Sequence, residues 1–458
     1  MSAKDMNKKV AIIGAGLAGC ECAWQLARFG VSVVLFEMRP EQTSPAHVTD
    51  GLAELVCSNS LRSDMPDTAV GCLKAEMRQA ESLVMEAAEA TRVPAGKALA
   101  VDRALFSDYV TEAVECHALL SVVRREITSL DDPALAGFDA VVVAAGPLAS
   151  EALAASLASA VGDTRLYFYD AIAPIVMADS VNLETAFWGS RYRPEDDDYL
   201  NCPMDEAQYA VFLEALLAAD KVQPREFEKE MHFEGCLPVE VMAERGEKTL
   251  LFGPLKPVGL VNPHTGKLAH AVVQLRAENL ERTRFNMVGF QTKLTYPEQK
   301  RVFRMIPGLE DVEFERLGSI HRNTYVNAPQ ALSGSLELSA RPGVFLAGQI
   351  TGVEGYVEST ACGLWLGLHL AARLAGRHLP PPPVETALGA LLGHLRTPAK
   401  NFQPCNVQFG LMPQLNVRAG KRKRMELYAA RAQKAWIAYL QEHELGVAEP
   451  DCAGAEEG

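Results

Sequence analysis

Long apolar runs are missing from this chain. No stretch reaches the roughly 18 consecutive apolar residues a membrane-spanning helix needs, so no transmembrane segment is expected. CxxC spacing is missing too. The ten cysteines stand at 20, 22, 57, 72, 116, 202, 236, 362, 405 and 452. That excludes a zinc ribbon or a redox dithiol of this type, and no metal site is expected. There is no excess of basic charge. Lys and Arg number 44 against 58 Asp and Glu, a net charge of −14, which argues against general nucleic-acid affinity. No second GxGxxG follows the first, so a dedicated NAD(P)H domain is not expected. Internal repeats are absent. Residues 1–9 are polar and run straight into an apolar segment, unlike a secretion signal. The expected setting is the cytoplasm, where most of the thiols stay reduced as small buried hydrophobes.

What is present begins with a fingerprint. Val10-Ala-Ile-Ile13 reads as a buried parallel strand. Gly14-Ala15-Gly16-Leu17-Ala18-Gly19 follows at once, then a helical pattern from Cys20 to Phe29, then a second strand ending at Glu37. Gly14 permits a tight strand-to-helix turn. Gly16 lets backbone N–H groups approach a pyrophosphate, and Gly19 allows helix and strand to pack closely. The helix N-terminus attracts the anion. Glu37 is placed to accept hydrogen bonds from a ribose diol. Two later strands end in small residues, 138–146 and 341–348, as backbone does when it passes close to a cofactor. The set resembles the two-part cofactor site of glutathione-reductase-type flavoproteins and points to FAD. Gln349 stands where those proteins usually carry Asp.

At 458 residues and 48% hydrophobic, the chain can bury a large core in two domains. The expected class is α/β, a Rossmann-like FAD-binding domain with an inserted α+β domain. Residues 8–184 read as the first part of the FAD-binding domain and 185–305 as the inserted substrate domain. Residues 306–446 read as its second part with C-terminal helices, and 447–458 as a flexible tail. Within the insert, 205–219 and 224–230 read as helices, and 249–254 and 271–276 as strands. Residues 65–90 read as helical.

Several segments carry possible chemistry. Cys57 lies in Val-Cys57-Ser-Asn-Ser, apolar before and polar after. A nucleophilic thiol wants partial exposure, hydrogen-bond donors and a nearby cation. Arg62 is the candidate cation, with Ser58, Asn59 and Ser60 as hydrogen-bonding groups. Cys236 sits between Gly235 and Leu237-Pro238, near His232, Glu234 and Glu240. Gly348, Gln349, Gly352 and Gly355 suit a close backbone approach to a cofactor followed by a helix whose N-terminus stabilises a reduced anion. Basic residues cluster at Arg418, 421–424, Arg431 and Lys434. A sparser set runs through Arg276, Arg282, Arg284, Lys293, Lys300, Arg301 and Arg304.

These motifs together resemble the TrmFO family of folate- and FAD-dependent tRNA uracil-5-methyltransferases. The match includes the 14–19 fingerprint, Phe36-Glu-Met-Arg-Pro40, Glu54-Leu-Val-Cys-Ser-Asn-Ser-Leu-Arg-Ser63, Phe233-Glu-Gly-Cys-Leu-Pro238, Thr249-Leu-Leu-Phe-Gly-Pro254 and 348–359. It spans nearly the whole chain. The resemblance implies that NAD(P)H reduces FAD and that methylenetetrahydrofolate supplies a one-carbon unit to C5 of uridine 54 in the tRNA T-loop. It implies that Cys57 and Cys236 serve as nucleophile and general base. Addition to C6 is assigned to Cys57, and the reverse division is the alternative. In this family Gly-Gln at 348–349 is expected. Two other readings stay open: the same chemistry on a ribosomal RNA uridine, and a flavin-dependent small-molecule oxidoreductase without RNA.

Overall fold

The computed structural model describes residues 8–44, 46–162, 165–191, 196–222, 237–399 and 402–445. Two sheets organise it. The first has five parallel strands in the order Val344–Leu346, Ala140–Val143, Lys9–Ile13, Ser32–Glu37, Leu120–Arg124. Lys9–Ile13 lies at its centre. Val10, Ala11 and Ile12 are fully buried, which is why this strand reads as an unbroken apolar run rather than an alternating one. The helix Leu17–Arg28 packs against a long helix, Tyr356–Leu374. Gly363 and Gly367 face it so closely that a Cβ would sit 2.2 Å from the Ala18 carbonyl and 2.7 Å from that of Cys22.

The second sheet has six strands, antiparallel between neighbours. Their order is Phe187–Trp188, Tyr199–Met204, Ala271–Ala277, Arg284–Met287, Ile175–Met177, Phe314–Arg316. Its own core is built on Phe212, Phe285, Phe290, Phe303 and Met287. This layer therefore draws on residues outside the 185–305 block at both ends. An antiparallel ribbon, Arg165–Ile172 with Ser319–Val326, carries the chain into it and back. A small third sheet, Ser60–Ser63, Ala98–Val101 and Arg92–Val93, follows the Cys57 segment.

Local chemistry explains most boundaries. Asp205 caps Glu206–Ala218 in a full capping box with Gln208. The 65–90 stretch is two helices, Ala69–Gln79 and Leu83–Ala90, capped by Thr68 and Ser82 and divided at Glu81, whose φ is +55°. One expectation is overturned. Residues 249–254 are not a strand: Thr249–Phe252 is a single helical turn, followed by Gly253 and Pro254. Leu250 is buried while Phe252 is 81% exposed. A run of three apolar residues does not by itself distinguish strand from helix. The helix expected at 224–230 and the tail at 447–458 lie outside the described residues.

Candidate active site

A cleft of about 1030 Å³, counting the part open to solvent, runs along the C-terminal ends of the central parallel strands. That size is at the upper end of small-molecule sites. Gly14, Gly16, Leu17, Ala18, Glu37, Gly348 and Gln349 all line it. Gly14 has φ +100°, and a Cβ there would meet the Ala144 carbonyl at 2.6 Å. A Cβ at Gly19 would lie 1.9 Å from the Gly14 carbonyl. Packing thus demands glycine at both. Gly16 differs: its φ is −77°, and a Cβ there would meet nothing within 4 Å. Neither backbone nor packing requires glycine at 16, so the space is left for a ligand. No side chain caps the helix that starts here, and its leading N–H groups are available to an anion.

Ala15 stands behind the wall, its N–H donating to Glu37 Oε2 at 3.1 Å. Glu37 Oε1 accepts from Arg39 N at 3.1 Å and Arg39 Nε at 2.9 Å. Arg39 reaches on to Glu54 at 2.9 Å. Burial pushes the Glu37 carboxyl up, but Arg39 outweighs it and holds the group below its ordinary value. A charged carboxylate at the end of this strand, in the lining of the cleft, is the kind of group that accepts hydrogen bonds from a ribose diol. Arg39, Glu54, Tyr356 and Ser359 also line the cleft and were not singled out from sequence. The signal for the first was its place in the Phe36–Pro40 motif. Gly352 and Gly355 do not form the wall. Gly352 abuts the Phe402 ring, 2.5 Å from where its Cβ would be. Gly355, φ +106°, leads into the Tyr356–Leu374 helix. Gln349 donates to Glu354 at 2.5 Å.

Cys57 itself is not among the residues that line this cleft, but its chain neighbour Val56 and its hydrogen-bond partner Tyr356 are. The Tyr356 hydroxyl accepts the Cys57 N–H at 2.6 Å and the Ser58 N–H at 3.3 Å. Cys57 is half-buried, with its Sγ 3.9 Å from the Ala171 carbonyl. Burial, then the Asp170 charge, push the thiol up to about 12, while Arg103 and Arg316 pull it down. The expected cation, Arg62, turns away. It pairs with buried Glu358 on the long helix, whose other contact is the Val407 N–H at 2.9 Å. Ser58 and Asn59 are also engaged elsewhere: both accept hydrogen bonds from Arg276 at 2.9 Å. Cys236 lies outside the described residues. Cys20, Cys22, Cys72, Cys202 and Cys362 are buried.

The basic residues divide into two kinds. Residues 421–424 are exposed at the start of the helix Lys421–Glu442, with the Arg422 and Lys423 side chains 90% and 64% exposed. The sparser set is mostly spent within the fold. Arg276 is buried, and Arg282, Arg284 and Arg301 pair with Asp197, Glu315 and Glu298. Among the described residues, no helix is long and apolar enough to cross a membrane and no cluster of His, Cys, Asp and Glu could hold a metal ion.

Comparison with known proteins first gives the class. The profile described as Glucose inhibited division protein A matches residues 9–378. The GidA structure from Aquifex aeolicus superposes with a TM-score of 0.68 at 17% identity, covering 98% of this chain and 75% of that one. A second crystal form gives 0.67 at 16% identity, covering 96% and 78%. With its cleft, the chain is a Rossmann-like flavoprotein of this fold. A finer likeness is to the methylenetetrahydrofolate–tRNA-(uracil-5-)-methyltransferase TrmFO of Oleidesulfovibrio alaskensis, 66% identical over 94% of this chain and 97% of that protein. The protein of the same description from Geobacter sulfurreducens is 59% identical over 93% and 98%. The chain belongs to the TrmFO family of methyltransferases.

Proposed function

We propose that this enzyme methylates C5 of uridine 54 in the tRNA T-loop, with methylenetetrahydrofolate as one-carbon donor, NAD(P)H as reductant and FAD as resident cofactor. The names of its relatives state the donor, the tRNA and the uracil C5 acceptor. The position within tRNA and the reductant are our extension. The observation that carries the reading is the link between thiol and cleft: Tyr356 lines the cleft and holds the Cys57 amide at 2.6 Å.

Gly14, Ala15, Gly16, Leu17, Ala18 and Gly19 would hold the FAD pyrophosphate turn, and Glu37 its ribose. Gly348 and Gln349 would lie along its other half, with Gly352 and Gly355 shaping that loop. The chemistry supplied by bound FAD is the relay of two electrons and of the one-carbon unit. Uracil C5 is a poor nucleophile until a group adds to C6. The Cys57 thiolate forms the S–C6 bond, and the C5–C6 electron pair moves toward the C4 oxygen. C5 then takes up the one-carbon unit. Cys236 removes the C5 proton, and the C6–S bond breaks to free Cys57. The methylene unit becomes a methyl group with two electrons from NAD(P)H, leaving tetrahydrofolate and NAD(P)⁺.

Residues 421–424 support contact with RNA. Four cations at the positive end of a helix dipole cost helix stability, so their place is better explained by a phosphate partner. The same reading puts the enzyme in the cytoplasm with its tRNA.

The test is label transfer. Purified protein is incubated with NADPH, labelled methylenetetrahydrofolate and an unmodified tRNA transcript, and label in the RNA is mapped. Label at the T-loop uridine supports the proposal. Label in ribosomal RNA alone moves the target there. A yellow protein that bleaches with NADPH but labels no RNA is a flavin oxidoreductase.

A further inference from the structure

Glu354 is a buried carboxyl group that the chemistry above leaves without a task. It is 5% exposed and stands between the short helical turn Gln349–Thr351 and the long helix Tyr356–Leu374. Glycines with left-handed backbone flank it, Gly352 at φ +95° and Gly355 at φ +106°. A remote segment fixes its backbone: the Glu354 N–H donates to the Cys405 carbonyl at 3.1 Å, and its carbonyl accepts from Asn406 Nδ2 at 2.6 Å. The side chain reaches back across the loop, where Oε2 accepts from Gln349 Nε2 at 2.5 Å.

Gln349 lines the cofactor cleft and Glu354 does not. A role for Glu354 at the ligand therefore passes through Gln349. The backbone at 349 is itself fixed. Its carbonyl accepts the Gly352 N–H at 2.9 Å, and a Cβ at the preceding Gly348, φ +80°, would lie 2.8 Å from the Ala18 Cβ. The Gln349 side chain thus springs from an anchored backbone to an anchored partner. An amide has a donor end and an acceptor end, and Glu354 occupies the donor end.

The pair also accounts for Gln rather than Asp at this position. Burial, then Asp170, raise the Glu354 carboxyl well above its ordinary range. Glu358 acts in the same direction, and Arg62, the cation that acts on Glu354, is itself paired with Glu358. A carboxylate at 349 would set one more negative charge against this group. The amide offers Glu354 a hydrogen and adds no charge. Protonated, Glu354 still presents a carbonyl oxygen to it.

We propose that Glu354 is a positioning residue for the flavin. It holds the Gln349 amide by its nitrogen, so that Oε1 faces the cleft as a neutral acceptor for a hydrogen-bond donor of bound FAD. The proposal rests on the reading of the cleft as the FAD site.

The test is a double-mutant cycle on the apoprotein, read as FAD affinity by fluorescence titration. Glu354→Ala and Gln349→Ala are each expected to weaken the Kd for FAD about tenfold, the loss of one hydrogen bond. The double variant is expected to bind no more weakly than Gln349→Ala alone, because Glu354 acts only through the amide. Glu354→Gln keeps an acceptor oxygen and is expected to stay within about threefold of the parent. Thermal unfolding shows which apoproteins are folded. Where Glu354→Ala is not, Glu354→Leu, of similar volume and without polar atoms, takes its place in the cycle. Parent-like affinity in that variant overturns the proposal. So do effects that multiply to about a hundredfold in the double variant, or a Glu354→Gln that binds no better than Glu354→Ala. The reading of the cleft fails separately, if the parent apoprotein binds no FAD.

Discussion

Gly16→Ala separates a glycine that the fold needs from one that the ligand needs. The new methyl group enters open space in the folded protein, with nothing within 4 Å and φ at −77°. Reduced freedom of the unfolded chain stabilises such a change by about 0.4–1 kcal/mol. Ala is a poorer N-cap than Gly, which offsets a similar amount. The apoprotein should therefore unfold within about 2 °C of the parent. Flavin binding should respond very differently. A pyrophosphate oxygen must approach the helix N–H groups to roughly 2.9 Å, through the space the methyl group fills. Losing two hydrogen bonds to a charged group costs about 1.5–3 kcal/mol each, or a 10²–10⁴-fold weaker Kd for FAD. Gly19→Ala is the control. Its Cβ would lie 1.9 Å from the Gly14 carbonyl, so overpacking should cost about 1–3 kcal/mol or more in the apoprotein itself. Thermal unfolding followed by circular dichroism and fluorescence titration with FAD measure the two quantities. Native FAD affinity in Gly16→Ala would refute the argument that position 16 is kept clear for the cofactor.

Three further outcomes are expected. Cys57→Ala should keep its flavin and lose methyl transfer, and Cys236→Ala should do the same; normal turnover in either assigns that thiol a structural role. Reversing the charges at 421–424 should weaken tRNA binding and flatten its salt dependence by about one unit of slope for each phosphate no longer neutralised; an unchanged affinity removes this patch from the interface. Glu76 is fully buried and accepts the Ala387 and Leu388 N–H groups at 2.7 and 2.8 Å, and burial raises its carboxyl to about 8. In the unfolded chain it ionises near its ordinary value, about 4.3. Unfolding therefore releases a proton between these values, and the contribution of Glu76 to stability falls as pH rises from about 4.3 to 8. Glu76→Gln should flatten the Tm profile across that window, and an unaltered slope would count against it.

The sequence alone determined whatever depends on neighbours along the chain. The 14–19 turn, its flanking strands and Glu37 are one local unit, so strand, glycines and acid could be read together and Gly14 and Gly19 assigned physical tasks. The capping box of Asp205 and Gln208 is equally local, and the helix expected from 205 does start there. Local reading failed where the signal was short, as at 249–252, where three apolar residues form a helical turn.

Only the tertiary structure decided what surrounds Cys57. Arg62, five residues away, was the natural candidate for its cation. It points instead at Glu358, nearly 300 residues on. The cations that do face the segment come from positions 103, 276 and 316, on elements that meet only when separate layers pack together. The fate of the basic residues was decided in the same way. The exposed run at 421–424 and buried Arg276 are alike in charge and unlike in surroundings. Periodicity and spacing report which element a residue joins; the charge that a thiol feels depends on distances in space, and those are set by the packing of remote segments.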